Sequence, residues 1–309
     1  MLRPPSPGDW LRLLALTAFW GTAFMFTEIA LRSFSPSVLV FGRILIAAMV
    51  VTAFLYVAGN RLPRDGRAWR QMLVMAITGN VLPFHLISWG QLSVPSSLAG
   101  VLMAVMPLFV LTLSHMFIPG ARLTGYRVIG FLTGFAGIIV VIGPDALQGL
   151  RGNSSLLGAL AVLGGALSYA VSAVYARLVG ATDPVRLAAG MLIVGSMLSL
   201  PPAVATVPQL VAPGLAAAVS LAVLGLLSTG YATVIYFRLV QGPGPNFLSF
   251  VNYLVPAWAV LVGAAVLDEV ITLNVYLGLA LILAGIAASE IGDQLNDRRR
   301  GPLAGTPAR

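Results

Sequence analysis

The chain contains no cysteine and no lysine, and only 9% of its 309 residues are charged. Without cysteine there are no disulfides, no Cys-ligated zinc and no iron–sulfur cluster. The charge deficit excludes more. A soluble domain carries roughly 25% charged residues, so this chain cannot cover itself with a water-facing surface, and lipid is the solvent left. His85 and His115 are the two histidines, and no HExxH spacing exists. The carboxylates stand at the ends of apolar runs or in the loops between them. No metal site, no cofactor and no enzyme is expected. The formal net charge of +8 is carried entirely by arginine. Most arginines form short groups between apolar runs, where the positive-inside rule accounts for them. No basic face is formed, so nucleic acid is not an expected partner.

What is abundant is apolar: 58% of the residues are hydrophobic. A spanning helix needs about 20 mostly apolar residues. Ten such runs are predicted, over residues 10–31, 36–58, 68–91, 95–118, 124–143, 155–179, 184–205, 213–240, 245–268 and 272–291. Runs three and four are separated only at Ser93-Val94-Pro95, where proline disfavours helix in the residue before it. The first run is long enough to span and lacks a small-residue cleavage site, so it reads as a helix and not a cleaved signal. With the N-terminus on the cytoplasmic side, fifteen of the eighteen arginines fall in inner segments. Arg32 and Arg151 are then outside and Arg43 lies within a span. Both termini are expected in the cytoplasm.

The two halves resemble each other at a fixed offset. Ser35-Pro36 opens the second run and Asp183-Pro184 the seventh, 148 residues later; each is a capping residue followed by proline at the first helical position. Ile129-Gly130 through Phe135-Ala136-Gly137 matches Leu277-Gly278 through Leu283-Ala284-Gly285, again 148 apart, and Pro107 matches Pro256 at 149. The expected division is a first repeat over 1–147, a second over 148–292 and a cytoplasmic tail over 293–309. Five spans per repeat is an odd number, so the second repeat must enter the membrane inverted. Inverted repeats mark secondary transporters, with the site near the midplane between the halves.

Trp20-Gly21-Thr22, Ser35-Pro36, Arg43 and the Pro107 and Pro256 spans together resemble the drug/metabolite transporter superfamily. Asp268-Glu269, with Ile271-Thr272 and the glycine-rich last span, is similar to the repeat ending of its EamA branch. The resemblance covers about residues 10 to 291. Within the superfamily the chain is most similar to bacterial exporters of aromatic amino acids and methionine, which implies a multi-pass protein of the bacterial inner membrane. The resemblance further implies two five-helix bundles, with spans one, three, four, six, eight and nine around a central cavity. One feature departs from it: Gly120-Ala121 stands in the first repeat where the second has Asp268-Glu269.

The candidate site residues lie on those cavity spans. His85 and Trp89 are four apart and share a helix face with polar Asn80 nearby. Trp20 and Phe24 sit on span one, Tyr169 and Ser172 on span six, and Tyr231 with Ser228 and Thr229 on span eight. Ser249, Asn252 and Tyr253 sit on span nine. Aromatic rings with a few polar groups suit an amphipathic small molecule; the same residue types also build interface belts and helix packing. Pro107 and Pro256 remove backbone hydrogen bonds within their spans and are expected as helix breaks. Gly242-Pro243 precedes span nine as a loop or hinge. Glu28 and Arg43 are the charges within spans, and a structural ion pair between them is expected across the short loop; the alternative gives Arg43 a substrate carboxylate. With Glu28 neutralised in that way, obligatory proton coupling is not expected.

These readings favour an exporter of small metabolites, amino acids first, acting by alternating access as a monomer in the lipid bilayer. Drug-cation efflux is the alternative, and it would need a membrane carboxylate such as Glu28. A channel would need a ring of like residues from several subunits.

Overall fold

The computed structural model describes residues 4–118, 125–148, 154–179, 183–206 and 213–300. All regular structure among them is helical. Seven helical stretches are long and apolar enough to cross a membrane: Pro7–Leu31, Pro36–Val57, Gly66–Gly90, Ser96–Phe117, Ser155–Val179, Pro184–Thr206 and Leu215–Gln241. Three shorter apolar helices, Val128–Val141, Val251–Leu267 and Leu273–Ala288, accompany them. Each of the ten predicted runs falls on one of these. Gly120-Ala121 lies outside the described residues.

Local chemistry explains where the helices begin. The Ser35 hydroxyl accepts from the Val38 amide at the start of α2 (Pro36–Val57). The Asp183 carboxylate accepts from the Val185 amide at 3.0 Å at the start of α9 (Pro184–Thr206). Each satisfies an orphan N–H of the first turn, and proline at the first position loses no bond there.

With all ten counted in chain order, three of the long stretches are not regular α-helix. The third is α3 (Gly66–Ala76), a π-helical segment π1 (Ile77–Val81) and α4 (Leu82–Gly90). The eighth is α10 (Leu215–Val223), a second π-helical segment π2 (Leu224–Tyr231) and α11 (Ala232–Gln241). The fourth breaks between α5 (Ser96–Met103) and α6 (Met106–Phe117), with Pro107 in the first turn of α6. The ninth breaks between α12 (Pro245–Leu248) and α13 (Val251–Leu267).

Pro256 does not break its helix, contrary to expectation: it sits inside α13, and the chain unwinds earlier, at Ser249-Phe250. Being the sixth residue of α13, it deprives only the Asn252 carbonyl of a donor, in the first turn. Gly242 and Pro243 form the turn before α12, completed by Gly244 at φ +100°.

The remaining long helices are α1 (Pro7–Leu31), α8 (Ser154–Val179), α7 (Gly125–Gln148) and α14 (Leu273–Arg300). α7 and α14 are unbroken and meet backbone to backbone. A Cβ on Gly137 would lie 2.8 Å from the Gly278 carbonyl oxygen, and one on Gly278 would lie 2.8 Å from the Gly137 carbonyl oxygen. Small residues permit this approach in lipid. Leu102, Leu108, Val162, Val260 and Ile282 bind this pair to α5, α6, α8 and α13 in one buried cluster.

Candidate functional site

The two π segments carry buried Asn80, Ser228 and Thr229. A π segment holds one residue more than an α-turn, so its i→i−4 ladder is locally interrupted; such bulges are frequent at functional sites. In π1 the Ser168 hydroxyl on α8 donates to the Thr78 carbonyl at 2.8 Å. Thr78 in turn donates to the Val74 carbonyl at 2.8 Å. Gly79 makes the α8 contact possible, since a Cβ there would fall 2.7 Å from the Ser172 hydroxyl. His85 Nδ1 lies 2.7 Å from the Val81 carbonyl. A carbonyl only accepts, so Nδ1 is the protonated nitrogen in that contact.

π2 packs on α2 through glycine as well. A Cβ on Gly225 would fall 2.5 Å from Ile46 Cβ, and one on Gly230 would fall 3.0 Å from Val50 Cβ. At that interface Arg43 Nε donates to the Thr229 hydroxyl at 2.7 Å. The guanidinium carbon stands 3.9 Å from the centroid of the Phe84 ring, within cation–π range. Phe84 meets the Tyr169 ring edge-on at 6.2 Å. Groups from α2, α4, α8 and π2 therefore converge on one guanidinium. Three buried polar atoms on the two irregular stretches, Asn80 Nδ2, His85 Nε2 and Ser228 Oγ, have no hydrogen-bond partner among the described residues.

The expected ion pair between Glu28 and Arg43 does not form. Arg43 turns to Thr229 and Phe84. Glu28 turns the other way, to the first turn of α5, where its Oε2 accepts from the Ser96 amide at 3.0 Å. Glu269, from the link between α13 and α14, accepts from the same amide at 2.8 Å, from the Ser96 hydroxyl at 2.7 Å and from the Ser97 amide at 3.0 Å. The two carboxyls meet at the Ser96 amide, and Arg32 lies within electrostatic reach of Glu28. Burial works to raise the Glu269 carboxyl, but the hydroxyls and amides of Ser97 and Ser96 outweigh it and hold the group below its ordinary value. This cluster ties the ends of α1, α5 and α13 together.

The other predicted residues have contacts of their own. Trp20 packs against Tyr236 at 6.0 Å. Phe24 lies against Gly100 of α5, and its carbonyl accepts from Gln91 Nε2 at 2.9 Å. Trp89 is 49% exposed, on the apolar stripe of Leu73, Ile77 and Leu82; Tyr231 is 46% exposed beside Phe19. Tyr253 packs at the edge of the cluster that holds the α7–α14 pair, while Ser249 and Asn252 mark the break before and the start of α13. Sequence reasoning passed over Ser168, although its spacing of four from Ser172 puts both on one face of α8. It also passed over the partners of Glu269.

A helical, lipid-embedded chain with interrupted helices around buried polar groups belongs to the class of multi-pass membrane transporters. The EamA-like transporter family profile matches the chain twice, over residues 8–143 and 156–289, and the chain belongs to that family. The two matches start 148 residues apart, the offset already seen in the sequence. The inner membrane transporter YedA of Escherichia coli K12 is 28% identical over 92% of this chain and 90% of its own. The transporter YoaV of Bacillus subtilis is 27% identical over 89% of this chain and 94% of its own. A Streptantibioticus cattleyicolor protein described as a "probable terminal-alkyne amino-acid exporter" is 26% identical over 98% of this chain and 99% of its own. A solved crystal structure superposes with a TM-score of 0.68 at 21% identity, over 93% of this chain and 99% of that one.

Proposed function

We propose that this protein exports small metabolites, amino acids foremost, from the bacterial cytoplasm by alternating access. In this reading ten spans form two inverted repeats around a central cavity, both termini are cytoplasmic, and one chain is the working unit. The observation that carries it is the recurrence of the π segment. π1 and π2 begin 147 residues apart, at Ile77 and Leu224, in the corresponding helix of each half. A paired interruption near mid-membrane is where the two halves of a transporter meet substrate.

Drug-cation efflux is the weaker reading. The carboxylate it would use, Glu28, is committed to Ser96 and Glu269 at one end of the bundle. The nature of the Streptantibioticus relative supports the amino-acid reading. The test is counterflow in proteoliposomes. Vesicles preloaded with unlabelled phenylalanine or methionine are expected to accumulate the labelled amino acid transiently. Counterflow of a quaternary drug cation, with none of either amino acid, would overturn the reading.

A further inference from the structure

The geometry points to Arg43 as the anchor for an anionic oxygen group, a carboxylate, on the transported molecule. The inference rests on the export reading above and adds the chemistry that the site recognises.

Arg43 is held inside a spanning helix with no acidic partner among the described residues. Ion pairs among the described residues join Arg12 to Asp9 and Arg186 to Asp183, and Glu28 is engaged elsewhere. A charge at membrane depth is costly and is kept where it serves function. Here the cost is only partly met. The guanidinium carries five N–H donors. Nε is used on the Thr229 hydroxyl, one face of the plane is laid on Phe84, and the Tyr169 hydroxyl lies within electrostatic reach, while among the described residues Nη1 and Nη2 make no side-chain hydrogen bond of the kind Nε makes. The edge they form is the part of arginine that matches a carboxylate in a two-bond fork. The existing contacts fix its plane in advance: Thr229 holds one corner, Phe84 one face, and Tyr169 braces Phe84.

The neighbourhood is also chemically biased. Ser228 precedes Thr229 on π2, and Asn80 lies on π1 four residues before Phe84; Ser228 Oγ and Asn80 Nδ2 are buried without partners among the described residues. A hydroxyl and an amide NH2 are donors. A positively charged fork with spare donors on both irregular helices favours an oxyanion over a cation. The position matching Arg43 in the second half is Met191, 148 residues on. The anchor is therefore single, and one carboxylate is held per cycle.

The test uses the purified full-length protein, with phenylacetate and its neutral isostere phenylacetamide as probes. Phenylacetate is expected to raise the melting temperature of the wild type, and phenylacetamide is not. Arg43→Gln is expected to lower the acid-over-amide preference at least about tenfold, the scale of one lost charge-assisted hydrogen bond. Arg43→Lys is expected to keep part of it, and Thr229→Val, which frees Nε, to weaken it. A wild type that does not distinguish the two probes overturns the proposal, and that arm needs no variant to fold. So does a Gln variant that keeps the distinction. The export reading fails separately: Arg43-dependent phenylacetate stabilisation without amino-acid counterflow leaves the anchor in place and removes the amino acid.

Discussion

The α7–α14 pair and the interrupted helices are made of similar apolar residues, yet they are built on opposite principles. α7 and α14 run without interruption and touch glycine to glycine, with the Gly137 and Gly278 carbonyls facing each other's Cα. The third, fourth, eighth and ninth stretches are all interrupted, two by π segments and two by breaks. In lipid, where apolar burial gives no preference between helices, close backbone packing supplies cohesion. Interruptions leave backbone and side-chain polar groups free to meet a solute. One region holds the fold; the other carries buried polar groups without a hydrogen-bond partner among the described residues.

That contrast can be broken deliberately. The largest effect is expected from Gly137→Leu. Its side chain would run into the Gly278 carbonyl and the Ile282 amide, which lie 2.8 and 3.0 Å from the built Cβ. Backbone cannot yield as a flexible side chain does, so a loss of about 3 kcal/mol is expected, read as a lower melting temperature in detergent. An unchanged melting temperature would mean that the pair is not the cohesive element.

Deleting Gly79 tests the other region. A π segment accommodates one extra residue, so removal restores a regular helix with both flanks in register. Membrane insertion and melting temperature are expected to hold while counterflow falls about tenfold or more, the scale of one lost site contact. Undiminished counterflow would show that the irregularity has no part in transport.

The smallest effect belongs to Glu269→Gln, which sharpens the contrast at the end of the bundle. The carboxylate caps α5 across the two halves, so the loss is expected near ~1–2 kcal/mol. Its pH dependence has a definite sign. The native carboxyl titrates below its ordinary value, so its stabilisation is complete above the unfolded value of about 4.3 and is lost as pH falls through the lower native one. The melting-temperature gap between wild type and variant is therefore expected to be constant near neutrality and to close only in acid. A gap that closes near neutral pH would assign the effect to another group.

Much of this was legible in the residues, for identifiable reasons. Lipid requires long apolar runs, so the helical stretches stand out. Ser35-Pro36 and Asp183-Pro184 announced helix starts because capping is local chemistry. The repeat was visible because a fixed offset links residues in several helices. The π segments were not legible: one extra residue inside an apolar helix leaves the hydrophobic pattern almost unchanged. The Glu28–Arg43 pairing was misread because a short loop fixes only how close two backbones come. Each side chain then follows its own helix face, Arg43 to Thr229 and Glu28 to Ser96. Glu269 meets Ser96 across 173 residues of chain, a distance no local pattern spans. The expectation against proton coupling relied on Glu28 being neutralised by Arg43. With Glu28 set against Glu269 instead, two carboxyls capable of sharing a proton stand at the end of the bundle.

Glu269 also has a consequence for ancestry. A transporter assembled from two identical five-span subunits, inserted in opposite senses, would carry the same residue at both mouths. Joining the halves into one chain lifts that restriction. Here the positions matching Glu28 and Glu269, 148 residues away, are Ala176 and Ala121, and an alanine side chain accepts no hydrogen bond. Under the inverted-repeat reading, the carboxyl clasp is a difference between the two faces that two identical subunits could not carry.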